Sequence, residues 1–130
     1  MDLSLDTCFV QITDPDAALA FYTTTLGLEL RNDVAKDSFR WITVGAPNGP
    51  SIVLSNFVAG SPDDAAALAA MVTKGAIQEA HFASSDLDAT HEALVAAGAE
   101  IVSPPETQPW GARDMAVRDP SGNLIRINQR

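Results

Sequence analysis

Cysteine and histidine are scarce in this sequence: one cysteine and two histidines occur among 130 residues. The lone Cys8 excludes an intramolecular disulfide and a zinc site built from cysteines. A catalytic zinc, iron or manganese site needs about three histidine or carboxylate ligands. The only histidines are His81 and His91, and His91 falls on a predicted helix, where an exposed histidine is the usual explanation. We therefore expect no metal ion and no other cofactor, with a divalent metal as the alternative.

Basic residues are also few, since 8 lysines and arginines stand against 17 aspartates and glutamates, for a formal net charge of −9. Binding to the phosphates of nucleic acids or to an anionic membrane surface requires clustered basic side chains, so we expect neither partner. The sequence has no run of about 20 apolar residues, and its first residues do not have the pattern of a signal peptide. These features predict a soluble cytoplasmic protein.

The length and an apolar fraction of 46% fit one folded domain, and this domain contains an internal repeat. Asp14 and Asp86 each precede a predicted helix, and Gly27 and Gly98 each follow one. The aspartates are 72 positions apart and the glycines 71, so the first copy has one extra residue in the helix or its cap. Both copies have a strand before the helix and another after the glycine, which favours a duplication over a coincidence.

Each half of the chain predicts the order βαβββ. In the first half, apolar spacing and turn residues predict a strand, a helix and three strands at 7–12, 14–26, 28–31, 39–44 and 51–55. In the second half they predict the same elements at 76–84, 86–97, 100–102, 112–118 and 124–128. The two modules, about 1–58 and 76–130, are joined by a predicted linker helix at about 61–73. Pro104, Pro105 and Pro109 predict a loop that ends at Trp110 and Gly111.

Short motifs in both halves have the order and spacing of a known family. The run DPDAALAFY at 14–22 with LGL at 26–28, the second-half run DLDA at 86–89 with Gly98, and the turn DPSGN at 119–123 resemble signatures of the vicinal oxygen chelate superfamily. That superfamily contains the glyoxalases, the bleomycin-resistance proteins and the extradiol dioxygenases. The runs RWITV at 40–44 and QPWG at 108–111 are typical of a bacterial branch.

This resemblance covers essentially the whole chain and implies a fold. The implied fold class is α+β, glyoxalase/bleomycin-resistance-like, with two tandem βαβββ modules that form a curled mixed sheet around a ligand cavity. It also implies a homodimer, because many members are dimeric. It does not imply one reaction, since members include isomerases, dioxygenases, resistance enzymes and proteins that sequester drugs.

The resemblance also indicates where a metal site would lie. Metal-using members place a histidine or glutamate on the first and last strand of each module, and these positions correspond to Thr7, to Glu79 or a neighbour, and to Arg126. In the last strand of the first module the candidates are Leu54 and Ser55. Threonine and arginine are not credible metal ligands, and the arginine charge opposes a cation. The prediction is therefore a protein without a bound metal.

Strand alternation and the aromatic positions predict which side chains face the ligand. The predicted ligand-binding residues are Thr7, Phe9, Gln11, Trp41, Glu79, His81, Trp110 and Arg126. Each has a structural alternative: Trp41 can be core, Trp110 can anchor its loop, and His81 can be a hydrogen-bonded structural histidine. Arg126 can pair with Glu79, or it can face the cavity unpaired, in which case it favours an anionic ligand.

Two functions follow from these residues. The favoured hypothesis is a metal-independent protein that binds or sequesters a small organic ligand, as bleomycin-resistance members do. The alternative is a divergent lyase, isomerase or dioxygenase with an incomplete or relocated metal site, or with Glu79 and His81 as acid and base. That alternative rests on Glu79 and His81 sharing one face of a predicted strand.

Overall fold

The computed structural model describes residues 1–37 and 39–130. The first module contains β1 (Thr7–Gln11), α1 (Pro15–Ala20) with its continuation Phe21–Thr25, β2 (Glu29–Lys36), β3 (Phe39–Gly45) and β4 (Ser51–Ser55). The helix α2 (Pro62–Thr73) follows it. The second module contains β5 (His81–Ser84), α3 (Leu87–Ala96), β6 (Glu100–Thr107), β7 (Arg113–Arg118) and β8 (Leu124–Gln129).

The strands form two four-stranded sheets with the same connectivity, β1-β4-β3-β2 and β5-β8-β7-β6. In each sheet the first and last strands of the module are parallel, and the other neighbours are antiparallel. The βαβββ order and the α+β fold class predicted from the repeat are confirmed. The predicted curled sheet consists of two separate mixed sheets, one from each module.

Both repeated helices begin at an aspartate and end before a glycine. The Asp14 carboxylate accepts hydrogen bonds from the N–H groups of Asp16 and Ala17, and the Asp86 carboxylate accepts one from Ala89. Gly27 and Gly98 have φ angles of 76° and 77°, in the left-handed region that glycine adopts without strain. These caps explain why the same residue types recur at the same places in the two copies.

The extra residue of the first copy is accommodated as a π-helical turn. The helical segment of the first module continues from Ala20 into a π-helix at Phe21–Thr25, whereas α3 has no such turn. A π-turn takes one more residue than an α-turn, which matches the change of offset from 72 to 71 between the copies. This turn contains Tyr22, which contacts the second module.

Three predicted strand boundaries were wrong. Strand β5 begins at His81 instead of residue 76, because its ladder with β8 begins with His81 opposite Arg126. Strand β6 extends to Thr107 through Pro104 and Pro105, which were predicted as loop. Proline is tolerated there because β6 is the edge strand and its register shifts between Ser103 and Glu106. Strand β2 extends to Lys36, five residues beyond its predicted end.

The helix α2 connects the modules and carries a complete capping box. The Ser61 hydroxyl accepts a hydrogen bond from Asp64 N–H, and the Asp64 carboxylate accepts one from Ser61 N–H. Val72 is the buried residue of this helix, so its apolar contact with the domain is small. Among the described residues, no helix is long and apolar enough to cross a membrane.

One apolar core joins the helix-covered sides of both sheets. It contains residues of both modules, among them Val10, Ile42, Leu54, Leu94 and Ile125. In each sheet these residues alternate with side chains that point away from the helices. The duplicated halves therefore share a single hydrophobic core on their helix side.

Polar contacts at residues 119–123 join the two modules beside this core, and we call them the first seam. The Tyr22 hydroxyl donates to Asp119 Oδ2 at 2.7 Å, and both residues are buried. Asn123 Nδ2 donates to the carbonyl oxygen of Gln11 at 2.6 Å, and Thr13 N–H donates to the Ser121 hydroxyl at 2.9 Å. Burial, with the negative charge of Asp119 as the next cause, raises the pKa of Tyr22, so the phenol stays protonated as a donor.

The first seam generates a stability prediction. Tyr22→Phe removes the hydrogen bond to a buried carboxylate, and we expect the free energy of unfolding to fall by about 1–3 kcal/mol. Urea denaturation measures this change, with Thr24→Ala, an exposed position in the same π-turn, as the control. Equal stability of Tyr22→Phe and the unmodified protein would show that the Tyr22–Asp119 bond does not join the modules energetically.

Candidate functional site: the open sheet faces

Each sheet has one face that packs on its helix and an opposite face, which we call the open face. Helix α1 packs on β3 and β4, and α3 packs on β6, β7 and β8. On the open face of the first sheet, Phe9 of β1 lies opposite Val53, and Val53 lies opposite Thr43. Trp41 lies two residues from Thr43 and therefore shares that face. The helix-side neighbours Val10 and Ile42 are buried, as alternation requires.

Three aromatic rings form a continuous surface on the open face of the first sheet, and we call this surface the aromatic wall. The centroids of Phe9 and Trp41 are 5.7 Å apart with an edge-to-face angle of 79°. Those of Phe39 and Trp41 are 6.0 Å apart, with the rings stacked at 29°. Phe9 and Phe39 are 45% and 40% exposed. Trp41 packs between the other two rings and is half-buried. Its partial exposure argues against the alternative that it is a core residue.

The open face of the second sheet is polar. The ladders place His81 and Ala116 on either side of Arg126, and Asp114 opposite Asn128. His81 is exposed, Arg126 is half-buried and Asp114 is buried. One module therefore presents aromatic rings on its open face, and the other presents groups that donate and accept hydrogen bonds.

Arg126 pairs with Asp114 and not with Glu79, which had been the structural alternative from the sequence. Its Nη1 lies 3.3 Å from Asp114 Oδ1, and Gln108 Nε2 donates to the same oxygen at 2.8 Å. A carboxylate buried in the sheet thus partly neutralises the guanidinium and fixes its position. The expectation of an anionic ligand required an unpaired Arg126, so this contact removes its basis.

Glu79 lies beside the first seam. It precedes β5, which begins at His81, and is not part of that strand. Its Oε2 accepts a hydrogen bond of 3.1 Å from Gln11 N–H, at the end of β1. The residue as a whole is exposed, but its carboxyl group is partly buried at this contact. That burial raises the pKa of Glu79 above its ordinary value of 4.5; the Gln11 N–H opposes the rise, and the charge of Asp119 adds to it.

His81 and Glu79 have separate partners. His81 Nε2 lies 2.6 Å from the side-chain nitrogen of Gln78, whereas Glu79 contacts Gln11. If Glu79 and His81 formed a catalytic pair in which the glutamate orients the imidazole, the two side chains would share a hydrogen bond. The structure gives His81 an amide neighbour instead, which agrees with the structural interpretation of this histidine.

The remaining predicted site residues lie at the edges of the open faces. The Thr7 hydroxyl donates to Asp6 at 2.7 Å, and Gln11 lines a cleft of about 240 Å³ beside α2. Trp110 is 72% exposed in the turn between β6 and β7, a turn closed by the hydrogen bond from Gln108 N–H to Ala112 O. The structure therefore does not bring Trp110 together with Trp41.

A family model identifies the chain. The model of the Glyoxalase/Bleomycin resistance protein/Dioxygenase superfamily matches residues 4–127. The chain belongs to this superfamily. No protein with a curated function matches the sequence.

Solved structures of the superfamily share the fold over the full length of the chain. UcmS2 is 31% identical with a TM-score of 0.88, and all of each chain is covered. TnmS3, an antibiotic binding protein from Streptomyces sp. CB03234, is 27% identical with a TM-score of 0.77, over 99% of this chain and 98% of that one. TioX from Micromonospora sp. ML1 is 25% identical with a TM-score of 0.72, over 97% of this chain and 98% of that one.

Of the residues at the superfamily's metal-ligand positions, Glu79 alone has a carboxylate, which bonds to Gln11 N–H, and the others do not fit a metal ion. Arg126 presents a guanidinium bound to Asp114, and Thr7 presents a hydroxyl bound to Asp6. Leu54 belongs to the core, and the Ser55 hydroxyl accepts a hydrogen bond from Phe57 N–H. Within residues 1–37 and 39–130, no three His, Cys, Asp or Glu side chains cluster as a metal site.

Three residues of the open faces were missed from the sequence. Phe39 completes the aromatic wall, and alternation from Trp41 two residues later could have identified it. Asp114 and Gln108 hold Arg126. Their contact depends on the register of β7 and β8 and on the path of the chain after β6, for which the sequence has no local signal.

The position of Glu79 generates a pH prediction. A raised pKa means that the folded state favours the protonated carboxyl group, so ionisation of Glu79 lowers stability as the pH rises above its ordinary value. Glu79→Gln keeps an acceptor for Gln11 N–H and removes that charge. We expect Glu79→Gln to be at least as stable as the unmodified protein at pH 7, with the difference disappearing below pH 4.5.

Urea denaturation of both proteins across this pH range measures the difference, in which the effects of the other carboxyl groups cancel. A Glu79→Gln protein that is clearly less stable at pH 7 would contradict the assignment, because it would mean that the ionised Glu79 stabilises the seam.

Proposed function

We propose that this protein binds a small organic molecule without a metal ion, in a cavity that forms between the open faces of two copies in a homodimer. The observation that carries the proposal is the aromatic wall of Phe9, Trp41 and Phe39. Large aromatic side chains gain most of their binding energy from desolvation and from stacking at defined geometry. A polar sheet face opposite such a wall supplies the few directional groups that small-molecule sites use.

On the open faces of a single chain, Phe9, Phe39 and His81 are exposed. The accessible area of the chain is 7616 Å², whereas a compact monomer of 13.7 kDa is expected to expose roughly 6,600 Å². The excess includes apolar residues of the edge strand β2, which is exposed along its whole length. Val34 is exposed on this strand and lies opposite Trp41, on the open face that also presents the exposed Phe9 and Phe39. A second copy that covers these residues removes the apolar surface from water and encloses the cavity.

Sequestration is favoured over catalysis because Glu79 and His81, the candidate acid and base, do not pair with each other among the described residues. Glu79 bonds to the backbone of β1 and His81 to an amide, so they do not act on one another. A divergent lyase, isomerase or dioxygenase, the alternative hypothesis, would use a cluster of metal-ligating side chains, and the described part of the chain contains none. The similarity to TnmS3, described as an antibiotic binding protein, supports a role in holding a small-molecule ligand.

The aromatic wall generates a binding prediction. N-phenyl-1-naphthylamine is a neutral aromatic probe that fluoresces in apolar surroundings. We expect it to bind the unmodified protein, and we expect Phe9→Ala to weaken it about fivefold to tenfold, since one aromatic contact contributes roughly 1–1.5 kcal/mol. Fluorescence titration measures the affinity.

Val95→Ala is the control for this titration, because Val95 is exposed on α3, away from the open faces. Trp41→Leu serves as a second variant of the wall. Equal affinity of Phe9→Ala, Trp41→Leu and Val95→Ala for the probe would show that the aromatic wall is not a ligand surface.

Metal independence is tested by elemental analysis of protein purified without chelators. Glu79 is the one credible cation ligand among the superfamily's metal-ligand positions, and one carboxylate does not make a site, so we expect well below one zinc, iron, manganese or nickel ion per chain. The probe affinity should also be unchanged after dialysis against EDTA. A stoichiometric metal ion that is lost together with probe binding would contradict the proposal.

A further inference from the structure

The duplication creates a counterpart of the first seam, and the residues there differ. The β3–β4 and β7–β8 ladders have matching registers, which makes Ala46 the counterpart of Asp119. At the end of the first helical segment, Leu28 N–H donates to the carbonyl oxygen of Tyr22. At the equivalent end of α3, Ala99 N–H donates to that of Leu94, which makes Leu94 the counterpart of Tyr22. A methyl and an isobutyl group cannot form the phenol–carboxylate bond of the first seam.

We call the region where Leu94 of one module lies near Ala46 of the other the second seam. A cleft of about 440 Å³ lies there, and both residues line it. It is bounded by the end of the first helical segment and the β3–β4 turn of one module, and by β5, α3 and β8 of the other. Its apolar lining consists of Leu26, Leu28, Phe82, Leu94 and Ile127, with small alanines at the rim. Leu94 and Ile127 are buried and form its floor.

Arg130 is the one charged side chain among the described residues that line the cleft. Its Nη2 donates to the carbonyl oxygen of Ala83 at 3.2 Å, and no ion pair to an Asp or Glu side chain is found for it in residues 1–37 and 39–130. By contrast, Arg40, Arg113 and Arg126 each pair with at least one aspartate. Arg130 therefore keeps donors for an anion.

Two hydroxyl groups add further donors to the lining. Thr25 and Ser85 line the cleft, and neither hydroxyl has a side-chain hydrogen bond among the described residues. The other two hydroxyls, of Ser84 and Thr90, bond to each other at 2.7 Å. The cleft thus combines an apolar floor, one guanidinium and two available hydroxyls.

We propose that this cleft is a second ligand site, separate from the open faces, that binds an amphiphilic monoanion: a carboxylate attached to a hydrocarbon chain or ring. The carboxylate contacts the Arg130 guanidinium, the group best matched to it in charge and geometry. The hydrocarbon lies along Phe82, Leu94 and Ile127. The volume falls within the range of small-molecule sites, about 300–1,000 Å³.

Octanoate is the probe for this site, and its uncharged amide, octanamide, is the matched comparison. Titration of the full chain followed by amide NMR shifts locates binding. We expect octanoate to shift the signals of Thr25, Ser85 and Ala93, and Arg130→Gln to weaken octanoate about tenfold or more. Octanamide should bind the two proteins equally, because it is uncharged and forms no ion pair with Arg130.

A pair of variants on α3 tests the location without disturbing the core. Ala93 and Ala96 are both exposed on this helix, but only Ala93 lines the cleft. Ala93→Phe should abolish octanoate binding, whereas Ala96→Phe should leave it unchanged. Binding of N-phenyl-1-naphthylamine should be unaffected by Arg130→Gln and by Ala93→Phe, which separates this site from the aromatic wall.

The proposal is overturned by any of three results: no octanoate binding at millimolar concentration, shifts confined to residues of the open faces such as Phe9 and Trp41, or equal effects of Ala93→Phe and Ala96→Phe. These results leave the function proposed for the open faces intact, because that function is measured with the neutral probe and the Phe9→Ala variant.

Discussion

The buried carboxylate of Asp119 is the contact on which the joining of the two modules depends. Its Oδ1 accepts backbone hydrogen bonds from Ser121, Gly122 and Asn123, which fixes the turn before β8. Its Oδ2 accepts the Tyr22 hydroxyl from the other module and the side-chain amide of Asn123. A carboxylate with five donors is satisfied despite its burial, and it links the turn of one repeat to the helix of the other.

This arrangement determines which surfaces remain available. Because the modules meet through their helix-covered sides, the strand faces away from the helices stay outside the shared core. The aromatic wall of Phe9, Trp41 and Phe39 is on one of them, and the Arg126–Asp114 pair is on the other. Joining the repeats in this way favours a ligand cavity completed by a second chain. At the second seam, where Leu94 and Ala46 stand in place of the phenol–carboxylate pair, a cleft remains.

Much of the fold followed from local signals in the sequence, and much of the polar chemistry did not. Asp14, Gly27 and their repeats at Asp86 and Gly98 have physical roles as helix caps, so the βαβββ order could be predicted from them. Alternation likewise predicted that Phe9 points away from the buried Val10. The offset change between the copies indicated an extra helical residue, and the π-turn is its structural form.

Contacts across the sheet required the structure. Arg126 was predicted to contact either Glu79 or a ligand, but it contacts Asp114, because the β7–β8 register brings that carboxylate beside it. The prolines of β6 were predicted as loop, since their tolerance depends on the strand being at the sheet edge. Neither the register nor the edge position is a property of the residues taken alone.

The central claim is that the ligand cavity exists only between two copies of the chain. Size-exclusion chromatography with light scattering, run on protein loaded with N-phenyl-1-naphthylamine and monitored by probe fluorescence, tests it most directly. The predicted result is that the fluorescent species has twice the chain mass of 13.7 kDa, and that fluorescence is lost in parallel with this species on dilution. A fluorescent species of 13.7 kDa that retains the probe at full affinity would contradict the claim.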